Sequence, residues 1–331
     1  MKIQFVLNPS SGGGKGEKML PLLKAQAKLL GLSAQVDLSR QSEEARDIAY
    51  SAQKRGCDIV VACGGDGTVH SLLPALVHRP VALGVIPIGT ANDLARNWQI
   101  PFHLKKALLV LVQGRQRRVD VIRTGSGAYI AGAAGLGFDA SVVQQAERLR
   151  NVAKGLLPFS IAFLSELARY SSSAVSLRAG DWEYDGPAWQ LLLTKIARYA
   201  YIFRITTSVK ADNGRMAVCL IPHPPNLGVI TVLPKLPFLG LKKLPGALFR
   251  TASVLEVRAS PPVAIQGDGD ILGQTPETFR VIPRALRIVA PPANPSLLDL
   301  RFLKDPFGKM EGVRFLRGRV RKSMAYGPQH P

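Results

Sequence analysis

The sequence predicts an α/β N-terminal domain over residues 1–122, a parallel sheet with helices on both faces. A mainly antiparallel, β-rich domain follows over residues 123–300. Three observations carry this reading. In the first third, short apolar runs alternate with helix-length segments, the rhythm of a parallel sheet. Past Asp120 that rhythm gives way to short strands parted by turn signals, which points to a sandwich or a partly open barrel. The length, 331 residues, suffices for two hydrophobic cores. Residues 301–331 form a basic tail, in which Arg314, Arg317, Arg319, Arg321 and Lys322 follow Gly312 without an acid.

In order, Ile3 to Leu7 reads as a strand, Asn8 to Gly14 as a loop, and Lys18 to Leu30 as a helix stopped by Gly31. Ala34 to Leu38 is a second strand. Ser42 to Arg55 is a helix opened by Glu43 and Glu44 and closed by Lys54 and Arg55, charges that suit its dipole. Asp58 to Ala62 and Val81 to Ile86 are buried strands. Ala91 to Trp98 and Leu104 to Gln113 are helices. In the second domain strands are expected at 119–123, 129–133, 175–178, 189–193, 216–221, 254–258, 263–266, 278–282 and 286–289. Helices are expected at 141–150 and 159–171.

Against 43 Lys and Arg stand 23 Asp and Glu, a net charge of +20, so an anionic partner is expected. Aromatics are 7% of the chain and do not interleave with cations, and zinc-finger spacing is lacking, which argues against nucleic acid. Cys57, Cys63 and Cys219 are scattered and odd in number, as in a reducing compartment. The apolar start is too short for a signal-peptide core, and Lys195 and Arg198 break the longest apolar run. The expected location is cytoplasmic, peripheral at the inner face of a membrane. Within Leu233 to Arg250, large apolar residues mix with four cations and no acid; packed helices or contact with an anionic bilayer would both use it.

The chemistry centres on Cys63-Gly64-Gly65-Asp66-Gly67-Thr68, between a strand and a helix. Glycines there let backbone N–H groups approach a phosphate, and the helix dipole favours an anion. A carboxylate among phosphates calls for a cation, and magnesium is the economical one. The glycines alone suit an ordinary turn equally well. Three glycine-bearing loops, Ser10 to Gly14, Gly64 to Thr68 and Gly89 to Asp93, fall at one sheet edge, where ligands of such folds collect, and this favours the phosphate site. Gly12 to Gly16 fails the Walker pattern, because Pro9 and Gly16 stand at its first glycine and its hydroxyl position. Gly135-Leu136-Gly137-Phe138-Asp139-Ala140 matches a dinucleotide fingerprint without the later strand and acid. The five histidines lack metal-ligand spacing and read as solvated or core residues. By spacing, Gln266-Gly267-Asp268-Gly269-Asp270 reads first as a hairpin, second as a base for a phosphoryl acceptor.

Together these residues resemble the diacylglycerol kinase catalytic-domain family, which includes soluble bacterial diacylglycerol kinases and the sphingosine and ceramide kinases. The matching pieces are Asn8 to Gly12, Gly64 to Thr68, Gly84 to Asp93, Gly135 to Asp139 and Asp268 to Asp270, in family order over roughly residues 1–300. The resemblance implies a cleft between the domains holding ATP with magnesium. Asn8, Pro9, Ser10, Ser11, Gly12, Ser39, Gly64, Gly65, Asp66, Gly67, Thr68, Thr90, Asn92 and Asp93 would line it, with Asp66 reaching the metal through water. Asp139 falls to the substrate side. Asp268-Gly269-Asp270 stands where the family has Asp-Gly-Glu, so the base is Asp270, one methylene shorter than usual, or Asp268. That reverses the hairpin preference. The implied activity is transfer of the ATP γ-phosphate to a lipid hydroxyl, foremost that of diacylglycerol, at an anionic membrane surface. Another lipid, a soluble NAD kinase-like substrate and a non-catalytic nucleotide- or lipid-binding role are the alternatives. A homodimer is left open. The stretch Ile205 to Gly214, with Ser208 and Lys210 where relatives hold a second metal, is not expected to bind one, and His70-Ser71 replaces a frequent Asn-Glu.

Overall fold

The computed structural model describes residues 1–149, 157–199, 203–205, 210–223, 244 and 246–292. Its first part runs β1 (Lys2–Leu7), α1 (Ser11–Leu29), β2 (Ser33–Leu38), α2 (Ser42–Lys54), β3 (Ile59–Gly64), α3 (Asp66–Leu76), β4 (Ala82–Pro87), α4 (Asp93–Asn97) and α5 (Leu104–Gln113). The four strands pair in parallel in the order β2-β1-β3-β4. β3 and β4 are buried at every residue, which explains their unbroken apolar sequences: helices cover both faces of the sheet. Each buried Val or Ile of these strands is worth about 2 kcal/mol. α2 turns Ala45, Ala49 and Ala52 to the core at helical spacing and packs beside α3. Because the chain reverses direction across the sheet between β2 and β3, α1 and α2 lie on opposite faces.

The second part adds β5 (Arg115–Thr124), β6 (Tyr129–Ile130), β7 (Ala133–Gly137), α6 (Phe138–Leu149), α7 (Leu157–Arg169), β8 (Ser173–Ala179), β9 (Trp182–Ala188), β10 (Gln190–Thr194), β11 (Arg198–Tyr199), β12 (Phe203–Arg204), β13 (Met216–Ile221), β14 (Leu248–Ala252), β15 (Val254–Ser260), β16 (Ala264–Gly267), β17 (Asp270–Gln274) and β18 (Glu277–Ala290). One antiparallel sheet has the order β14-β13-β10-β7-β16-β17. Its inner residues, including Leu136, Leu191 and Val218, meet Val175, Leu255 and Phe279 of a second layer in one apolar cluster, a sandwich core. That second layer is continuous with the N-terminal sheet: β18 pairs with β15 and β5 and returns beside β4, Ile288 opposite Leu83.

Several elements differ from expectation for local reasons. Residues 278–282 and 286–289 belong to one strand, β18, whose register shifts between Ile282 and Leu286 around Pro283 and the left-handed Arg284. β9 escapes notice because its exposed and half-buried residues alternate around a Gly-Pro pair at an outer strand. β17 is hidden by Gly273. Gly135 to Gly137 lie inside β7, so the dinucleotide-like glycines are strand residues, and they make no phosphate loop. In the Leu233 to Arg250 stretch, Leu248 to Arg250 belong to β14 and most of the rest lies outside the described residues, as do residues 206–209 and the tail from 293 on. Among the described residues no helix is long and apolar enough to cross a membrane.

Candidate active site

Three loops leave the carboxyl ends of β1, β3 and β4, neighbouring strands at the point where the strand order reverses. They are tied backbone to backbone. Asn8 N–H donates to Cys63 O at 3.0 Å, and the N–H groups of Ile88 and Gly89 both donate to Gly64 O, at 2.9 and 3.2 Å. Glycine is required where they touch. A Cβ on Gly89 would overlap the Gly65 backbone, and one on Gly12, at φ +62°, would overlap Ile88 O. Asn8 Oδ1 accepts the Ser10 N–H at 2.9 Å, shaping the turn into Ser11, where α1 begins. Pro9 is buried and Ser10 is exposed. Ser39 is buried at the end of β2, its N–H donating to Leu7 O and its hydroxyl to Gln41 O.

α3 starts at Asp66, so the amides of Asp66 and Gly67 face this edge ahead of the helix's own ladder, which opens with the Thr68 N–H donating to Gly65 O at 3.1 Å. Thr68 is buried, its hydroxyl against Gly64. The Asp66 carboxylate caps the next helix: Oδ2 accepts the Asp93 N–H and Oδ1 the Leu94 N–H, both at 2.9 Å. Burial raises its pKa to about 6; the two amides pull it down and the charges of Asp93 and Asp268 push it up. Asn92 sits in the left-handed region at φ +51°, its Nδ2 donating to Gly89 O, and its buried Oδ1 has no partner. Thr90 is exposed beside it and Asp93 is buried.

The acidic turn arrives from the second part of the chain. β16 and β17 form a hairpin joined by Asp268 and Gly269, at φ +52° and +94°, the two left-handed residues of a type I′ turn. The Asp268 carboxylate is buried and accepts three backbone N–H groups: Ala131 on Oδ2 at 2.7 Å, Gly132 and Ala133 on Oδ1 at 2.8 and 3.0 Å. Asp270 reaches the other way. A Cβ on Gly67 would stand 3.7 Å from Asp270 Oδ2, so this carboxylate lies against the first turn of α3.

His70 is the residue that sequence reasoning missed. It is four residues after Asp66, hence on the same side of α3. Its Nδ1 is buried, 3.7 Å from Asp268 Oδ2. Burial pulls the imidazole pKa down, yet Asp268 and Asp270 together leave it raised. The spacing from Asp66 was the available signal.

Asp139, at the start of α6, is held within the protein. Tyr199 donates its hydroxyl to Oδ2 and Gln266 Nε2 donates to the same atom, each at 3.0 Å. Its Oδ1 is buried without a partner, and burial raises its pKa against the bonds from Gln190, Tyr199 and Gln266. Glycine at position 135 makes room for this carboxylate. Farther along, the Lys195 ammonium is buried among Asp120 Oδ2 at 2.8 Å, Asn213 Oδ1 at 3.0 Å and Arg215 O at 2.6 Å. A fixed cation therefore already stands among these oxygens, while Lys210 is exposed.

The donor set fits a nucleotide with magnesium. Close-approaching glycine backbones suit phosphates, and the unpartnered Asn92 Oδ1 is an acceptor awaiting a donor or cation. Among the described residues no three His, Cys, Asp or Glu side chains form a metal cage.

Comparison with known proteins bears on the family and the fold. Residues 2–124 match the diacylglycerol kinase catalytic domain, and residues 132–290 match the YegS C-terminal NAD kinase beta sandwich-like domain. A diacylglycerol kinase of Staphylococcus saprophyticus is 22% identical over 293 residues, covering 88% of this chain and 95% of that one. An uncharacterized protein of Synechocystis is 26% identical over 305 residues, covering 88% and 70%. The crystal structure of a putative diacylglycerol kinase from Bacillus anthracis superposes with a TM-score of 0.72 at 17% identity, over 88% of this chain and 98% of that one.

Proposed function

The chain belongs to the diacylglycerol kinase catalytic-domain family and is a lipid kinase, and on that premise we propose that it transfers the ATP γ-phosphate, with magnesium, to the hydroxyl of diacylglycerol, giving phosphatidic acid. One observation carries this reading further than family membership does. A carboxylate from the second half of the chain, Asp270, lies against the amide end of α3. Phosphoryl transfer to an alcohol needs little more than that: donors at the phosphates, and a positioned base for the hydroxyl proton.

In this proposal the loop amides at Gly12 and Gly65 to Gly67 bind the phosphates, and Asp66 holds magnesium through water. Magnesium, when bound, offsets charge on the phosphate oxygens. Asp270 takes the proton from the lipid hydroxyl as its oxygen bonds to the γ-phosphorus and the bond to the β-phosphate oxygen breaks. Asp268, its oxygens committed to three amides, holds the turn that presents Asp270. The net charge of +20 supports meeting the substrate at an anionic membrane surface, as a peripheral protein of the cytoplasm.

The test is transfer from labelled ATP to diacylglycerol in anionic vesicles, with magnesium and with a chelator, beside a panel of other lipid alcohols and NAD. Labelled phosphatidic acid that vanishes with the chelator is expected. Labelling of NAD alone, or nucleotide binding with no transfer to any lipid, would overturn the proposal.

A further inference from the structure

The proton-accepting turn is held by a polar chain, buried at Gln266, that reaches back to the nucleotide loops. Gln266, fully buried at the end of β16, spans the turn: its Oε1 accepts the Gly269 N–H at 3.1 Å. Its Nε2 donates to Asp139 Oδ2 at 3.0 Å and to the Tyr199 hydroxyl oxygen at 2.7 Å. The Tyr199 hydroxyl then donates to Asp139 Oδ2 at 3.0 Å. Donor and acceptor roles fit one arrangement. Asp139 Oδ2 accepts from both the Tyr199 hydroxyl and the Gln266 amide nitrogen, which draws that nitrogen towards the carboxyl and turns Oε1 to Gly269. With the amide reversed, two donors would face each other at Gly269 and a carbonyl would face the carboxylate.

Tyr199 is fixed from the other side. Asn97, the last residue of α4, accepts the N–H groups of Ala197 and Arg198 at 2.9 and 3.1 Å and donates to Arg198 O at 2.9 Å. It also donates to Asp93 O at 2.8 Å, and the Asp93 N–H is the one Asp66 accepts. Hydrogen bonds, linked through the backbone at Asp93 and from Arg198 to Tyr199, therefore run from Asp66 in the phosphate loop, through α4 and Tyr199, to the amide beside Asp270.

We propose that Asp139, Tyr199 and Gln266 are positioning residues of the phosphoryl transfer, with Asp139 acting through Gln266 on the acidic turn and not on the lipid. This rests on the kinase reading given above, in which Asp270 is the base. Their removal loosens the turn, lowering the rate of transfer without weakening either substrate. A misplacement of about 1 Å costs up to ~100-fold in rate, and loss of one contact in the chain is expected to cost about 10-fold.

Tyr199→Phe removes a single oxygen, and Asp139→Asn removes the carboxyl that orients Gln266. In each, kcat should fall about 10-fold or more with the KM values for ATP and diacylglycerol within about two-fold. Neither substitution should lower the rate further in an Asp270→Ala background. Exchange of the Gly269 amide, followed by NMR on the full chain, should accelerate in both variants. That last reading needs no activity, so it decides the positioning role even if the wild-type chain transfers nothing to lipid, a result that would sink the kinase reading alone. Unchanged Gly269 exchange in the well-folded Tyr199→Phe protein would overturn the proposal. So would a rise in the KM for lipid with kcat held in Asp139→Asn, which would make Asp139 a substrate contact.

Discussion

Asp268→Asn separates holding the acidic turn from doing chemistry at it. Asn tolerates the left-handed conformation, so the φ of +52° at this position adds little strain. What changes is the acceptor. If the Asn carbonyl stands where Oδ1 is, the Gly132 and Ala133 amides keep a partner, but the side-chain NH2 then faces the Ala131 N–H that Oδ2 now accepts at 2.7 Å. One hydrogen bond to a charged group is lost, worth about 1.5–3 kcal/mol, and a buried N–H is stranded. The two remaining bonds drop from charged to neutral strength. Relief of the repulsion felt by Asp66 and loss of the ion pair with His70 act in opposite directions.

The net expectation is a loss of about 3–5 kcal/mol, a large share of the total stability of about 5–15 kcal/mol of a typical domain. At about 2 °C per kcal/mol for a chain this long, the thermal midpoint should fall by about 6–10 °C at neutral pH. The assay is thermal unfolding by circular dichroism beside ATP-to-lipid transfer at a temperature where both proteins are folded. Transfer should persist at a reduced rate. A midpoint within about 2 °C of the wild type would refute the claim that the carboxylate holds three amides. Abolished transfer at an unchanged midpoint would make Asp268 the base.

Asp270→Ala should lower transfer by about 10³-fold, in the range of a lost general base, with an unchanged circular dichroism spectrum; near-normal turnover would remove Asp270 from the mechanism. Gly89→Ala should raise the KM for ATP at least about ten-fold, because its methyl group must displace the Gly65 backbone; an unchanged KM would show that these loops do not meet nucleotide. His70→Asn should make stability less dependent on pH. The His70 pKa is raised in the fold, so its ion pair is fully stabilising below the ordinary value of 6.5 and loses that effect as pH rises through the raised value. The wild type should therefore unfold at a higher temperature than His70→Asn at pH 6 and lose that advantage in alkaline solution; an advantage that grew with pH would contradict the pairing.

The parallel half of the fold was legible because burial on both faces leaves β3 and β4 no polar residue to blur them, and because Glu43, Glu44, Lys54 and Gly56 mark the ends of α2. The strand β18 was legible only in pieces. Its Pro283 interruption looks like a turn in sequence, whereas pairing to β5 on either side of the bulge makes it one strand. That β18 extends the N-terminal sheet beside β4 rests on a contact between Leu83 and Ile288, about two hundred residues apart, and no local pattern carries it. His70 was obscure for the same reason: its partner, Asp268, is remote in sequence.

The acidic turn is the instructive case, since hairpin and active site had been set against each other there. In the proposed mechanism they are one feature. The two left-handed residues that make a tight hairpin also turn the two carboxylates to different tasks, Asp268 back onto the 131–133 amides and Asp270 out towards α3. The reach of the proposed base is thus set by the turn as much as by side-chain length. An aspartate in place of the family's glutamate still reaches the space a side chain at Gly67 of α3 would enter, because no side chain stands there. The shorter acid and the bare helix turn are complementary, and the Gln266 amide that fixes Gly269 keeps them so.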